Sequence, residues 1–285
     1  MAGLAPALLV MASVTVAPAL YLFITSLTPL NLAMPGTAWD FGDPLRNYVE
    51  LFEDPRFGNS VWIQVQLSTA TVLLQLAAGL GVALLLHAGT PTRRLARSLF
   101  LVPMVLPPIV VGILWRVMFT VDISPLHRAM AFLGLPIDPL LTDASTALWA
   151  IVAVETWEWF PFTMLMVLAA LQMIPDSPLE AARIDGASRL QVFRHVILPY
   201  IRPTLVVAAL FRLIDSIKAF PLIYVLTNGG PGEVTQVTNY YAFVQAFNYS
   251  LWGYASAIAT LMVAGIFLLS WLVDRLMGAA DAGDD

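Results

Sequence analysis

Cysteine is absent from this 285-residue chain, and lysine occurs once, at position 218. The absence of cysteine excludes thiolate metal sites, disulfide frameworks and cysteine nucleophiles. A nucleotide-binding P-loop needs the lysine of G-x-x-x-x-G-K-[ST], and that pattern does not occur. The G-x-S-x-G and H-E-x-x-H patterns of hydrolases and metalloproteases are missing as well. The chain is therefore predicted to be no enzyme, and any ATP that drives it must be hydrolysed by another polypeptide.

Charged residues are scarce, and long hydrophobic runs take their place. Only 12% of the chain is Asp, Glu, Lys or Arg, against about 25% in soluble domains. Stretches of about 20 apolar residues can span a bilayer as helices. Such stretches cover residues 5–27, 61–86, 99–119, 147–171, 200–226 and 252–276. We predict an all-α polytopic membrane protein, with residues 1–285 forming a single transmembrane domain. The first span has no basic flank, so we interpret it as a retained helix rather than a signal peptide.

Basic residues indicate the orientation of the chain. The loop after the second span carries Arg93, Arg94 and Arg97, and the loop after the fourth carries three further arginines. The remaining loops are mostly acidic. Basic loops stay in the cytoplasm, so both chain ends and the loop after the fourth span are predicted to be cytoplasmic.

The loop after the fourth span is a polar, helix-forming segment between hydrophobic spans. The segment 180–199, hereafter the island, reads EAARIDGASRLQVFRHVILP. Ser177 and Glu180 form an S-x-x-E capping pattern with Pro178 at the first helical position, which predicts a short helix. Gly186 then supplies the positive φ that ends a helix. The island is thus predicted to begin with a capped helix and a turn.

A second short helix follows in the island. Ser188 and Gln191 repeat the cap, and Pro199 is predicted to close the helix. Isolated helices shorter than about 12 residues are marginal in water, so both helices need a partner surface. Phe193 is a large apolar side chain available to that partner. The alternative is an ordinary connector that packs on its own protein.

Ionisable and aromatic side chains also fall within or near the spans. They are Glu155, Trp157, Glu158 and Trp159 in the fourth span, and Arg212, Asp215 and Lys218 in the fifth. A charge at the bilayer centre costs about 2.5–3.5 kcal/mol on insertion scales, so such groups usually face a cavity or a partner. Carboxylates beside aromatic rings are typical of sugar-binding surfaces, which indicates a substrate pathway. Interhelical salt bridges with an aromatic belt are the alternative interpretation.

Two motifs resemble one known family. The island matches E-A-A-x-x-D-G-A-x5-F-x5-P at every fixed position and resembles the EAA loop of binding-protein-dependent ABC importers. After the fifth span, Thr227 and Thr235 bracket T-x-G-G-P-x-x-x-T, which is similar to permeases of the carbohydrate-uptake ABC family. Within that family the chain resembles the maltose-permease-F-like and glycerophosphate-permease-A-like members. The resemblance runs from Tyr48 to Met277.

The resemblance implies a fold, partners and a mechanism. The fold would be the six-helix type I ABC importer (MetI-like) permease fold in a bacterial plasma (inner) membrane. The partners would be a second permease subunit, two cytoplasmic ATPase subunits that use ATP and Mg²⁺, and an extracytoplasmic solute-binding protein. The chain itself would bind no cofactor, metal or nucleic acid, and it would move a sugar or sugar-like solute by alternating access. The ATPase-coupling positions would be Glu180, Ala181, Ala182, Asp185, Gly186, Ala187, Phe193 and Pro199.

Alternative functions remain at this point. The solute could be a polyol or a glycerophosphodiester. A proton- or sodium-driven secondary carrier could use Glu155, Glu158 or Asp215 as its ion relay. A membrane-embedded assembly protein without transport is a third possibility, although it gives no role to the island.

Overall fold

The computed structural model describes residues 5–87, 90–121, 123–134 and 139–281. The extreme ends of the chain, for which the sequence predicts a cytoplasmic location, lie outside these ranges. Chain contacts divide the protein into unit 1, residues 1–64 and 236–272, and unit 2, residues 65–235 and 273–285. That the whole chain forms one transmembrane domain stays a prediction.

Thirteen α-helices form the regular structure of the described ranges. They are α1 (Ala5–Ser26), α2 (Arg46–Glu53), α3 (Pro55–Leu86), α4 (Pro91–Val105), α5 (Pro108–Phe119), α6 (Pro125–Phe132), α7 (Ala147–Gln172), α8 (Asp176–Ile184), α9 (Arg189–Val192), α10 (Leu198–Ile217), α11 (Pro221–Leu226), α12 (Thr238–Phe243) and α13 (Trp252–Asp281). A 3₁₀ turn covers Pro35–Thr37, and π-helical turns cover Phe193–Ile197 and Val244–Asn248.

Five helices within the described ranges are long and apolar enough to cross a membrane. They are Pro6–Ser26, Pro55–Leu86, Ala147–Gln172, Arg189–Ile217 and Trp252–Val273. A sixth candidate is the pair Thr92–Val105 and Pro108–Phe119, which is bent by 97°. The expected count of six spans is met when this bent pair is taken as one.

The third predicted span, residues 99–119, is therefore not a continuous helix. Leu106 and Pro107 are both extended, with ψ of 139° and 136°, and α5 begins at Pro108. Proline removes a helical donor and forces the residue before it out of the helical region. Two prolines in a row impose this on both preceding residues, so the predicted span consists of two helices.

The fifth predicted span, residues 200–226, is also interrupted. The helix α10 ends at Ile217, and Phe220 adopts φ −141° before α11 begins at Pro221. Pro221 again explains the break, since its ring and missing N–H prevent α10 from continuing through it. Hydropathy alone could not locate this break, because both segments are apolar.

A half-buried carboxylate connects the helices of unit 1. Asp54 precedes α3 and accepts hydrogen bonds from the hydroxyls of Tyr241 on α12 and Tyr254 on α13. Burial alone would raise the pKa of Asp54, but these two bonds and the backbone N–H of Arg56 outweigh it and hold that pKa below its ordinary value. Burial and, after it, the same carboxylate raise the pKa of Tyr241. Asp54 is thus an anchor for three segments.

Gly253 lies where a loop crosses the start of α13 in unit 1. Its N–H donates to the carbonyl of Leu30 at 2.9 Å, and a Cβ at this position would lie 2.0 Å from the carbonyl oxygen of Thr28. Asn47 fixes the same loop by donating to the carbonyls of Ser26 and Thr28. A side chain at position 253 therefore cannot be accommodated without moving backbone.

We expect Gly253→Ala to destabilise unit 1. Overpacking against fixed backbone costs about 1–3 kcal/mol, and the thermal unfolding midpoint of the detergent-solubilised protein should fall accordingly. Gly265→Ala on the same helix is the matched control, because a Cβ there meets nothing within 4 Å. The control should be neutral or stabilising, as glycine is a poor helix former. Equal midpoints for the two variants would contradict the packing argument.

The core of unit 2 lies between α3, α7 and α10. Its buried apolar residues are Ala83, Leu86, Met164, Val167, Leu168, Leu171 and Ile201. The helices α3 and α7 lie close together at Gly79, where a Cβ would lie 2.5 Å from the Cβ of Thr163. This close approach lets side chains of α3 reach the polar residues of α7.

The T-x-G-G-P-x-x-x-T motif forms a closed loop after α11 in unit 2. The hydroxyls of Thr227 and Thr235 lie 2.8 Å apart, and Thr235 also donates to the carbonyl of Gly230. The peptide bond between Gly230 and Pro231 is cis, and Gly229 and Gly232 have positive φ. The two threonines of the motif are therefore the residues that close the turn.

Candidate functional site: the island and a buried ion cluster

The first helix of the island begins earlier than the sequence predicts. The helix α8 starts at Asp176 with Pro175 as its N-cap, and no side chain caps it. The predicted cap at Ser177 was wrong, because Ser177 already lies within the helix. Asp176 places a negative charge in the first turn, which favours the same helix end through the macrodipole.

Gly186 ends α8 as predicted. It has φ +72°, and its N–H donates to the carbonyl of Arg183, while the N–H of Ala187 donates to the carbonyl of Ala182. These two bonds form a Schellman motif, which satisfies carbonyls at the helix end. Glycine is required at this position because other residues adopt positive φ only with strain.

The second helix of the island is continuous with a membrane-spanning helix. Ser188 and Gln191 form the predicted reciprocal capping box. From there the chain stays helical through Ile217, passing a π-helical turn at Phe193–Ile197. Pro199 was predicted to close the helix, but it lies in the first turn of α10. The π-helical turn explains the difference. The N–H of Leu198 donates to the carbonyl of Phe193, five residues earlier, and the helix then continues through Pro199, which has no N–H.

The island is an exposed surface within the described part of the chain. None of the residues of α8, α9 or the π-helical turn is buried. Ile184 and Leu190 are 86% and 72% exposed, and Phe193 is half-buried. A concave pocket of about 320 Å³ lies between α8 and α9. It is lined by Ala182, Asp185, Gly186, Ala187, Gln191, Val192, His195 and Val196. The arrangement offers apolar side chains and a concave face to a partner.

A second group of residues forms a buried ion cluster in unit 2. The guanidinium of Arg212 is 1% exposed and donates to the carboxylate of Glu155 on α7 at 3.2 Å. Its Nε donates to the Oε1 of Gln75 on α3 at 2.8 Å. The Nε2 of Gln75 in turn donates to the backbone carbonyl of Glu155. Arg212 also lies 4.5 Å from the ring centroid of Trp159, a cation–π distance. Three groups from α3 and α7 thus converge on one arginine of α10.

The cluster continues along α10. The guanidinium of Arg212 lies 3.2 Å from the Oδ2 atom of Asp215, and the Nζ atom of Lys218 lies 3.0 Å from its Oδ1 atom. A cavity of about 250 Å³ opens beside these residues. It is lined by Pro108, Glu155, Glu158, Trp159, Arg212, Asp215, Lys218, Ala219, Phe220, Pro221 and Leu222. Both interrupted spans contribute to its wall, since Pro108 begins α5, residues 219 and 220 lie in the break before α11, and Pro221 begins α11.

The structure separates the predicted substrate-pathway residues into two groups. Five of the six line the cavity, and Trp157 does not. The ring of Trp157 packs edge-on against that of Trp115, with 5.5 Å between the ring centroids. The salt-bridge interpretation applies to Glu155, which pairs with Arg212. It does not apply to Glu158, which is fully buried and whose carboxylate oxygens have no hydrogen-bond partner among the described residues.

Gln75 is the residue that the sequence interpretation missed. It is 1% exposed and bridges the side chain of Arg212 to the backbone of α7. A signal existed, because an amide within an apolar span usually has an interhelical partner. Its partners could not be read from the sequence, since Arg212 lies 137 residues further along the chain.

Comparison with known proteins agrees with this architecture. The family described as "Binding-protein-dependent transport system inner membrane component" matches residues 75–280. The trehalose/maltose transport system permease protein MalF of Thermococcus litoralis is 37% identical over 218 residues, covering 76% of this chain and 73% of the relative. The sulfoquinovosyl glycerol transport system permease protein SmoG of Agrobacterium fabrum is 33% identical over 261 residues, covering 92% and 84%.

The fold is similar to that of solved transporters. A chain of a bacterial ABC transporter involved in the import of the acidic polysaccharide alginate matches with a TM-score of 0.83 and 18% identity, covering 96% of this chain and 93% of that one. The fold is thus that of type I ABC importer permeases. The family match spans both the island and the ion cluster. This chain therefore belongs to the family of binding-protein-dependent transport system inner membrane components.

Proposed function

We propose that this chain is the permease subunit of an ATP-driven importer of a sugar or sugar-like solute, and that it forms half of the translocation pathway. The observation that carries the proposal is the island, a capped and exposed pair of helices joined directly to a spanning helix. Such a surface needs a partner, because α8 is a short helix without buried residues and short helices are marginal in water. The partner we propose is an ATPase subunit, because this chain has no P-loop lysine pattern.

The helix Arg189–Ile217 connects the island to the buried ion cluster. At about 1.5 Å of rise per residue, the axis from Ser188 to Arg212 is roughly 36 Å long. Movement of the island would therefore displace Arg212 and its partners. Alternating access then follows from ATPase closure, since one rigid element links the docking surface with the cavity.

The coupling residues are proposed to act at three places of the island. Glu180, Ala181 and Ala182 lie on α8, and Asp185, Gly186 and Ala187 form the turn. Phe193 lies in the π-helical turn, and Pro199 lies in the first turn of α10. The complete assembly would add a second permease subunit, two ATPase subunits that use ATP and Mg²⁺, and an extracytoplasmic solute-binding protein. The island and both chain ends would face the cytoplasm of a bacterial inner membrane.

The solute class is proposed from the cavity and the relatives together. The names of the relatives include trehalose, maltose and sulfoquinovosyl glycerol, all of them sugars or sugar derivatives. Carboxylates and Trp159 on the cavity wall suit a polyhydroxylated solute. A polyol or glycerophosphodiester is the alternative within the same mechanism.

A second candidate function is a secondary carrier driven by protons or sodium. The observation that favours it is Glu158, a buried carboxylate without a hydrogen-bond partner among the described side chains. Buried acids of this kind occur in ion relays. The island has no role in such a carrier, which is the reason for preferring the ATP-driven function.

The energy source of uptake tests the proposal. Cells that produce the complete transporter should lose uptake of a radiolabelled sugar when ATP is depleted while the ion gradients are maintained. An ionophore that collapses the gradients while ATP is held constant should leave uptake largely intact. The reverse pattern would replace the proposal with the ion-coupled carrier.

A further inference from the structure

A separate cavity of about 470 Å³ lies within unit 1, and we call it the unit 1 cavity. Its wall is formed by the loop after α1, the helices α2 and α12, the π-helical turn Val244–Asn248 and the start of α13. Ligand sites in proteins commonly have volumes of about 300–1,000 Å³, so this cavity is large enough to hold a small molecule or a headgroup. The proposed transport function gives it no role.

Gln245 indicates that the unit 1 cavity binds a ligand. It is 7% exposed and lines the cavity, yet its side chain forms no hydrogen bond with the described residues. Both polar atoms of its amide retain accessible surface, so a ligand in the cavity can reach them. The residue lies in the π-helical turn, and such turns are frequent at functional sites. A largely buried amide without partners is costly, and this amide can both donate and accept.

The wall of the unit 1 cavity carries charges of both signs. Arg46 and Glu50 form an exposed pair with 2.7 Å between Nε and Oε1. The Nη atoms of Arg46 have no partner among the described residues and are available to an anion. Asp54 adds a second carboxylate to the wall. One guanidinium beside two carboxylates suits a ligand that carries both an anionic and a cationic group.

The unit 1 cavity lies where membrane-spanning helices end. The candidate spans Pro6–Ser26 and Trp252–Val273 contain 21 and 22 residues. At about 1.5 Å of rise per residue each is roughly 32 Å long, which is close to the hydrocarbon thickness of about 30 Å. Pro29 follows the first span, Leu251 precedes the second, and both residues line the cavity. The cavity is therefore at the depth of the lipid headgroups.

The helix α2 presents an apolar stripe next to the unit 1 cavity. Leu45, Val49 and Phe52 are spaced by four and three residues, which places them on one face, and each is more than half exposed. Asn47 and Leu51 are buried on a different face. An amphipathic helix at headgroup depth buries its apolar face among the upper parts of the acyl chains. The stripe is thus suited to the hydrophobic part of a lipid.

We propose that unit 1 binds a phospholipid with a phosphoethanolamine headgroup, which occupies the unit 1 cavity while the acyl chains contact the stripe on α2. The ammonium group lies beside Glu50 and Asp54 and donates to Oε1 of Gln245. The phosphate accepts hydrogen bonds from the Nη atoms of Arg46. A choline headgroup has no N–H to donate, and a glycerol headgroup has no cation, so lipids with these headgroups bind more weakly. This site depends neither on the transported solute nor on an ATPase.

Native mass spectrometry of the purified full-length chain, titrated with lipids in detergent, tests the proposal. The three lipids have identical acyl chains and carry a phosphoethanolamine, phosphocholine or phosphoglycerol headgroup. One molecule of the first should bind about tenfold more tightly than either of the others, as expected for an added hydrogen bond to a charged group. Soluble glycerophosphoethanolamine has the headgroup without acyl chains, and it should bind at least about tenfold more weakly than the lipid.

Two variants with matched controls locate the site. Gln245→Leu should weaken binding of phosphatidylethanolamine by about tenfold, whereas Gln66→Leu, outside the cavity wall on α3, should not change it. Arg46→Gln should weaken binding of the ethanolamine and choline lipids alike, since both contain the phosphate. Arg128→Gln, at an exposed position of α6, is its control. Because Arg46 is exposed, its variant keeps the test decisive if Gln245→Leu does not fold.

A stripe variant separates a lipid from a free headgroup. Val49→Ser should weaken binding of the lipid and leave binding of glycerophosphoethanolamine unchanged. Equal affinity of the wild-type chain for all three lipids, or unchanged lipid binding by Arg46→Gln, overturns the inference. Equal affinity for the lipid and the soluble compound assigns the cavity to a free solute and overturns it as well. Retention of a polypeptide in place of lipid, with the same sensitivity to Arg46→Gln, would assign the cavity to a protein partner instead.

Discussion

Replacing Arg212 by methionine is expected to lower the free energy of unfolding by about 3–5 kcal/mol, the usual cost of breaking a buried ion pair from one side. Methionine approximates the length of the arginine stem but supplies no charge and no donors. Glu155, which is 6% exposed, would keep a buried negative charge with its counter-ion removed. Gln75 would lose the donor to its Oε1 atom. Folded proteins are stable by about 5–15 kcal/mol in total, so this loss is a large fraction.

The unfolding midpoint of the purified chain in lipid nanodiscs measures this effect. Arg116→Met is the control, because Arg116 is exposed and donates to the carbonyl of Val225 at 3.0 Å. It should cost only about 1 kcal/mol, the net value of one hydrogen bond. The double variant Arg212→Met with Glu155→Leu should regain at least half of the loss, because it removes the orphaned charge. Equal midpoints for Arg212→Met and the wild type would show that the cluster does not stabilise unit 2.

Replacing Gly186 by proline is expected to abolish coupled transport while leaving the protein in the membrane. Gly186 has φ +72°, whereas proline fixes φ near −65°, so the Schellman turn between α8 and α9 cannot form. The bond from the Gly186 N–H to the carbonyl of Arg183 is lost as well. The two helices of the island would then present their faces in a different orientation. ATP-dependent uptake should fall about tenfold or more, which corresponds to roughly 1.4 kcal/mol of lost coupling.

Gly134→Pro is the matched control for this change. Gly134 also has φ +72°, and its N–H donates to the carbonyl of Ala131 at 3.0 Å, but it follows α6 rather than α8. The two variants carry a similar backbone penalty, so a difference in uptake between them reports the role of the island. Glu180→Lys, an exposed change on α8, should also reduce uptake without reducing the amount of protein in the membrane. Normal uptake by either island variant would count against the coupling role.

Local features of the island could be predicted because their causes are local. Ser188 and Gln191 cap each other across three residues, and Gly186 is the residue type that tolerates positive φ. The errors at Ser177 and Pro199 have local causes too. Two competing helix starts lie next to each other at positions 176 and 177, and a π-helical turn lets the helix pass a proline. Small differences in free energy decide between such alternative helix ends, and a sequence motif does not show these differences.

Hydropathy predicted the number of spans but not their continuity. The runs 99–119 and 200–226 are predominantly apolar, so a hydropathy profile averaged over a span does not show their breaks at Pro107 and before Pro221. Proline lies at the break in both runs, yet α7 continues through Pro161 without a break. Whether a proline ends a helix depends on the partners available to the freed carbonyl groups, and those partners belong to other helices.

The sequence alone determined that the chain crosses a membrane, that it carries a capped polar segment between two spans, and which family it resembles, since composition, caps and spaced motifs are properties of the chain itself. Only the tertiary structure decided which charges meet. Gln75, Glu155 and Arg212 lie on three helices far apart in the sequence, and Trp157 faces Trp115 although its neighbours line the cavity. Glu158 is a glutamate on the same helix as Glu155, but its carboxylate oxygens have no hydrogen-bond partner among the described residues. Helix packing makes that distinction, because an ion pair depends on the distance between side chains rather than on their separation along the chain.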